Sequence, residues 1–453
     1  MFLLINSPLF RNVDEDYDED SLPPIGLGYI ATNLQNNNIQ CELVDCISEK
    51  ISLKKILNII HYKKPRFIGF NIFTTNMELV KEIVESIKFK TNIFIGGQAV
   101  LSLQEYIKKF STNNQITMII GDADFIVSDI VLDKVKEVPI YCRNSRTIYK
   151  IDKNSIYYPN DISNIPLIRD FFKNEPIYHK KYNFYEAHLI NSRGCIYNCA
   201  FCGAAKSLNK NSIIRIKTKE SIIQEIDNLV KKYDKLDSIR ILDDLFLKNN
   251  KTILEAIEIF NNFNLKWRSM AHTLSFSKAS INDLKNLKNS GCFELFIGVE
   301  SGSEKILKSI HKFSNIEIIK NNIKKLFEVG INVKAYFILG FPKETKEDFQ
   351  LTYQMANYLK NESIKYKVNF RISVFQFRPY HGTEIYYNLF GYEFSETSTK
   401  ANNALNQKIG RLQFNFTSGN YSVEDDKILF KYIEKINKLN EEKKDDRKLK
   451  KMF

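Results

Sequence analysis

No apolar run in this 453-residue chain is long enough to cross a bilayer. The opening MFLLINSPLF has no basic flank and is too short for a secretory leader, so it reads as a first strand. Cysteine is scarce: there are seven, an odd number, and Cys41, Cys46, Cys142 and Cys292 are scattered. That excludes a secreted disulfide framework and fits a reducing cytoplasm. Seventeen glycines and ten prolines are too few for a low-complexity chain, and no self-similar period marks a repeat protein. What remains is a globular composition, 43% hydrophobic and 26% charged, at a length that suggests two domains plus an extension. The net charge of +13 admits an anionic partner. Lysine is abundant throughout, however, and the terminal Lys443, Lys444, Arg447, Lys448, Lys450 and Lys451 alternate with Glu441, Glu442, Asp445 and Asp446. Such mixing marks a solvated helical tail, and nucleic-acid binding is not expected.

Three cysteines do cluster. Cys195, Cys199 and Cys202 form a C-x3-C-x2-C triplet in NSRGCIYNCAFCGAAK, just after a strand-like stretch. Three thiolates can hold three corners of a [4Fe–4S] cube and leave the fourth iron open to a small molecule. The plainer readings are a zinc knuckle or core cysteines. Zinc usually takes four ligands, and the nearest histidine, His188, precedes the triplet on the strand. The spacing and surroundings resemble the radical S-adenosylmethionine (SAM) enzymes. That resemblance implies that SAM chelates the open iron and is reductively cleaved to a 5′-deoxyadenosyl radical.

Residues 1–145 alternate strand and helix signals: FLLINSP, PPIGLGYIATNLQ, IQCELVDC, SLKKILNIIHYKK, RFIGFNIF, MELVKEIVESIKF, NIFIGG and TMIIG. Single helices between short apolar strands predict a doubly wound, Rossmann-like parallel sheet. Ligands of such sheets lie beyond the carboxyl strand ends, here Ser7-Pro8, Asp45, Phe73-Thr74-Thr75, Gly96-Gly97-Gln98 and Gly121-Asp122. The PPIGLGYIATNL, GGQ and GDAD segments resemble the cobalamin-binding domain that precedes the barrel in one radical SAM subgroup. The resemblance implies cobalamin contacts at Thr74, Gly97, Gln98 and Gly121. The D-x-H-x-x-G sequence that supplies a cobalt-ligating histidine in some cobalamin proteins is absent, and Gln98 stands where histidine is common. The acidic run Asp14–Asp20 reads as a solvated loop, or as a contact for a cationic group. Residues 146–185, punctuated by Pro159, Pro166 and Pro176, read as a linker.

From residue 186 to 390 six strand–helix units predict a partial (β/α)6 barrel, with its active site at the carboxyl strand ends. Expected helices include 218–233, 281–290 (capped by Ser280 and Gly291), 303–310 and 316–329. The resemblance assigns further residues to SAM. Phe201, between the second and third cysteines, shields the cluster and packs near adenine. Asp243, in the Asp243-Asp244 pair after the second barrel strand, receives the amino group. Glu300 and Ser301, in GVESGSEKILKSIHK, lie near the ribose and carboxylate, and Gly340, in FILGFPKET, near adenine. Lys343 replaces a glycine that relatives carry, and His381, in FRPYHGTEIYYN, replaces a proline. Thr345 with Asp348 reads as a capping box. His272, where relatives carry an arginine, and His381 are the candidate acid–base residues, each with a structural role as the alternative. Residues 391–453 read as a helical extension with an apolar stripe of Ile428, Leu429, Tyr432, Ile433, Ile436 and Leu439.

Taken whole, the resemblance implies a cytoplasmic α/β enzyme with a [4Fe–4S] cluster, SAM and cobalamin. It would act on a small-molecule or peptide substrate with electrons from a flavodoxin or ferredoxin. Methyl transfer to an unactivated carbon is the leading expectation. Radical chemistry without methyl transfer is the alternative, and a non-catalytic iron–sulfur protein a more distant one.

Overall fold

The computed structural model describes residues 1–8, 22–138, 140–143, 145–312, 315–391 and 420–440. The acidic run Asp14–Asp20 and the charged tail from Glu441 onward lie outside the described residues. By its contacts the chain forms two compact units. The described residues within 1–177, 206–217 and 380–391 make one, and those within 178–205, 218–379 and 420–440 the other.

The first unit is a seven-stranded sheet. Its strands β1 (Phe2–Asn6), β2 (Cys41–Asp45), β3 (Phe67–Asn71), β4 (Asn92–Gly96), β5 (Gln115–Ile120), β6 (Ile140–Arg143) and β7 (Arg146–Lys150) lie in the order β2-β1-β3-β4-β5-β7-β6. All pairs are parallel except β6 with β7. Every residue of β1 is buried, as expected where helices cover both faces of a parallel sheet. Helices Ile25–Asn36, Leu53–Lys63, Met77–Ser86 and Val100–Lys108 make the crossovers. Local chemistry sets their starts: Pro24 precedes the first, and the Ser52 hydroxyl accepts the Lys55 amide to open the second. Residues 146–177, the larger part of the stretch 146–185 read from sequence as linker, go with this unit, and β7 extends its sheet. Five residues of mixed polarity, RTIYK, gave too short a signal to separate from the irregular stretch that follows.

Strand order reverses direction between β1 and β3, and such a switch point opens a crevice beyond the carboxyl ends. A polar network stitches it. Asn6 Nδ2 donates to Asp45 (2.7 Å), Asn71 Nδ2 to Asn6 Oδ1 (2.8 Å) and Asn76 Nδ2 to Ser7 Oγ (2.6 Å).

In the second unit six parallel strands follow chain order: Phe184–Leu189, Ser238–Ile241, Lys266–Ala271, Cys292–Glu300, Asn332–Leu339 and Phe370–Gln376. A short strand, Ile177–His179, forms the edge beside the first of them. This is the expected six-unit partial barrel. Alternation divides the two faces. Ala187, Leu189, Ile239, Ile241, Trp267, Leu295, Ile297, Val333, Ala335 and Ile372 pack in the apolar core with the helices.

The opposite face is charged. Arg268 donates to both oxygens of Glu186 (2.8 and 2.5 Å) and to Glu294 (3.2 Å), while Arg371 grips both oxygens of Glu294 (2.8 and 2.6 Å). His179, Tyr182 and Ser238 complete the two carboxylates' hydrogen bonds. Both carboxyls are held below the usual range despite burial, because arginines face them. The C-terminal helix Asp426–Lys438 buries Leu429, Tyr432, Ile433 and Ile436. It packs beside the Lys346–Lys365 helix and the last strand, completing the helical layer. Among the described residues no helix is long and apolar enough to cross a membrane.

Candidate active site

The cysteine loop leaves the carboxyl end of the first barrel strand and is tied down by its neighbours. Ala200 N donates to Ile310 O (2.9 Å), Cys202 N to Cys199 O (3.1 Å) and Ala205 N to Cys202 O (3.1 Å). Asp243, at the end of the second strand, accepts from Asn191 N (2.7 Å), Asn191 Nδ2 (3.2 Å) and Ser192 Oγ (2.6 Å). Its carboxylate thus fixes the chain just before the first cysteine. Asp244 accepts from Gly194 N at 3.3 Å.

Cys195, Cys199 and Cys202 are each half-buried. Burial pushes all three thiols up, Cys202 to about 12. The neighbouring thiols add to the rise at Cys199 and Cys202, as expected of three cysteines close together in one loop. A cluster that takes their protons offsets that penalty, since thiolate is its ligand form. Among the described residues no three Cys, His, Asp or Glu groups converge on the point a single ion would occupy. Thiolates that each hold a different iron need no such convergence. The donor set fits the cluster.

Near the thiols lies an ion pair whose cation sequence reasoning left unassigned. Lys312 Nζ, buried, donates to Glu300 Oε1 at 3.1 Å, and the carboxylate together with Cys199 and Cys202 holds the ammonium protonated against burial. The backbone builds this pair deliberately. The register of Cys292–Glu300 against the next strand shifts between Gly298 and Glu300, and Glu300 adopts φ +65°. Such a bulge turns the side chain back along its own strand, at a cost in backbone strain. It lands over Gly298, where a Cβ would stand 2.2 Å from Glu300 Oε1 and 3.0 Å from Lys312 Nζ. Any larger residue there would displace the tips of the pair. Ser301 instead faces inward to Thr352 Oγ1 (3.0 Å) and accepts from Ser303 N (3.1 Å).

His272 follows the third strand. Its ring stacks on Tyr197, from between the first two cysteines, with centroids 4.0 Å apart. Phe201 meets Phe341 edge-on at 5.6 Å. In the FILGFPKET turn the Glu344 carboxyl accepts from Gly340 N (2.7 Å) and Phe341 N (2.9 Å), and burial pushes it up to about 8. Thr345 and Asp348 form the expected capping box. Leu429 of the C-terminal helix packs at Gly340. Cysteines, Glu300, His272, Phe201 and the Gly340 turn therefore all sit on carboxyl strand ends or the loops that follow them. The signal for Lys312 was its place in the GVESGSEKILKSIHK segment.

In the first unit Thr74 is buried beyond β3, whereas Phe73, Gly97, Gln98 and Gly121 are exposed at the carboxyl edge. A Cβ at Gly96 would meet nothing within 4 Å. This open edge leaves room for a large flat ligand, so the unit fits cobalamin. Gly97 has a local reason too: at φ +107° a Cβ would sit 2.8 Å from Ile72 O. Asp122 pairs with Arg215, whose guanidinium lies over the Tyr158 ring at 4.1 Å. His381 comes from far along the chain to this same edge. Its Nδ1 lies 3.1 Å from Thr74 Oγ1, and its backbone N donates to that oxygen at 3.2 Å.

Residues 189–356 match the radical SAM superfamily model, and residues 18–123 match the B12 binding domain model. An uncharacterized methyltransferase of Pyrococcus horikoshii is 26% identical over 380 residues, covering 80% of this chain and 78% of that protein. The fold is similar to that of OxsB, a cobalamin-dependent SAM radical enzyme solved with aqua-cobalamin and SAM bound. There the TM-score is 0.59 at 16% identity, over 78% of this chain and 51% of OxsB. It is similar also to the radical SAM methyltransferase TsrM from Kitasatospora setae, with a TM-score of 0.58 at 14% identity, over 85% of this chain and 74% of TsrM. The chain thus spans about half the length of OxsB.

Proposed function

From the premise that this chain carries a radical SAM domain behind a B12-binding domain, we propose that it methylates an unactivated carbon of a small molecule or peptide. When bound, the cluster and SAM supply a hydrogen-abstracting radical and cobalamin relays the methyl group. Two electrons from a low-potential donor and two SAM molecules are consumed, giving methionine, deoxyadenosine and S-adenosylhomocysteine.

The chain's own residues bind and orient. Cys195, Cys199 and Cys202 would hold the cluster, while Asp243 and Asp244 fix the entry to their loop. The Glu300–Lys312 pair offers a carboxylate for ribose hydroxyls with a cation beside the sulfurs. Phe201 and Phe341 exclude water from the cluster side. Thr74, Gly97, Gln98 and Gly121 line the edge that would receive the corrin.

The observation that carries the reading is a loop of three half-buried thiols at the carboxyl end of the first strand of a six-stranded parallel barrel, in a chain that also bears a B12-binding domain. The test is anoxic reconstitution of the full chain with iron, sulfide and hydroxocobalamin, followed by dithionite and SAM. A [4Fe–4S] absorbance lost in Cys199→Ala, retained cobalamin, and S-adenosylhomocysteine formed alongside deoxyadenosine are the expected results. Deoxyadenosine without S-adenosylhomocysteine, even with candidate substrates present, would overturn methyl transfer.

A further inference from the structure

One ring nitrogen of His272 has no hydrogen-bond partner among the described residues. Its Nδ1 accepts the Leu274 amide at 3.1 Å, an N-cap contact on the turn that opens at Thr273. A ring nitrogen that accepts carries no proton, so the other nitrogen of the neutral ring bears it. That second nitrogen, Nε2, is buried and has no partner among the described residues. The residue is 4% exposed. Burial and the nearby Lys312 ammonium push the imidazole down to about 2, so it stays neutral and the tautomer holds across the working pH range.

An orphan N–H inside a protein is destabilising, and such groups are rare without a ligand to complete them. The ring is also firmly aimed. Tyr197 stacks on its face, Ser275 Oγ accepts its backbone N–H at 3.1 Å, and it stands directly after a barrel strand. Tyr197 lies between Cys195 and Cys199, so the stacked His272 ring stands beside the cysteine loop.

We propose that His272 Nε2–H is a fixed, neutral donor to an anionic acceptor at the cluster's edge, either a cluster sulfide or the carboxylate of iron-bound SAM. A neutral donor suits this place, since Lys312 already supplies the positive charge there and a second cation beside it would be repelled. The inference rests on the cluster reading of the cysteine loop.

The experiment compares wild type, His272→Phe and His272→Asn after anoxic reconstitution. Phenylalanine keeps the stack on Tyr197 but has no N–H, whereas asparagine keeps an amide donor and a carbonyl for the Leu274 amide. Two readouts are taken: the cluster's midpoint potential without SAM, and SAM affinity from the change it produces in the reduced cluster's EPR spectrum. If the acceptor is a sulfide, His272→Phe lowers the SAM-free potential by about 60 mV, a tenfold shift for one electron. If it is the carboxylate, that potential is unchanged and SAM binds roughly tenfold to a hundredfold more weakly. Asparagine recovers part of either loss. Equal potentials and equal SAM affinities in a His272→Phe protein of full iron content would overturn the proposal. A wild type that assembles no cluster would refute the cluster reading itself, and the donor assignment with it.

Discussion

Replacing Lys312 with methionine removes the cation and leaves its partner carboxylate buried. Both side chains are under a tenth exposed and meet at 3.1 Å. Breaking a buried pair on one side typically costs about 3–5 kcal/mol.

Glu300→Gln together with Lys312→Met removes both charges and recovers most of the loss, giving a coupling of about 2 kcal/mol or more. Trp267 is the chain's sole tryptophan and lies buried in the second unit's core, so its fluorescence in urea follows that unit alone. A single-variant loss under about 1 kcal/mol at pH 7, or simple additivity with Glu300→Gln, would refute the buried-pair reasoning.

Gly298→Ala places a methyl against both ends of that pair, so it should reduce the reconstituted cluster's affinity for SAM while leaving the Trp267 unfolding transition cooperative. Unchanged SAM binding would show that the pair relaxes freely. Glu344 is held near 8 by burial; its folded value lies above the unfolded one, so its contribution is present below about pH 4.5 and lost as pH rises through 8. Glu344→Gln should therefore match wild type near pH 5 and exceed it at pH 8, by an amount on the order of 2–4 kcal/mol, in urea titrations at the two values. In the first unit Gly97→Ala meets Ile72 O at 2.8 Å in a left-handed conformation, and should cost about 1–3 kcal/mol and weaken cobalamin retention. Full stability in that variant would mean the turn rearranges at no cost.

Local pattern alone determined the cysteine loop, the GVESGSEKILKSIHK segment, the capping box at Thr345 and the alternation of strands and helices. Each depends on residues close together in the chain, where spacing fixes geometry. The apolar stripe through Leu429 and Ile436 was legible as a helix for the same reason, although its place beside the last strand was not. Tertiary structure decided the rest. The Glu300–Lys312 pair exists only because a bulge turns a strand end back over Gly298. The His272 tautomer follows from one backbone amide in a cap, which no residue count shows. Glu186, Arg268, Glu294 and Arg371 stand on four different strands and look like solvated charges in sequence. Strand register brings them onto one buried face, and His381 reaches Thr74 across 307 positions. Pattern within an element survives in the sequence because backbone periodicity writes it there. Contacts between elements depend on how the sheets twist and pack, and each such contact joins residues that the chain itself keeps far apart.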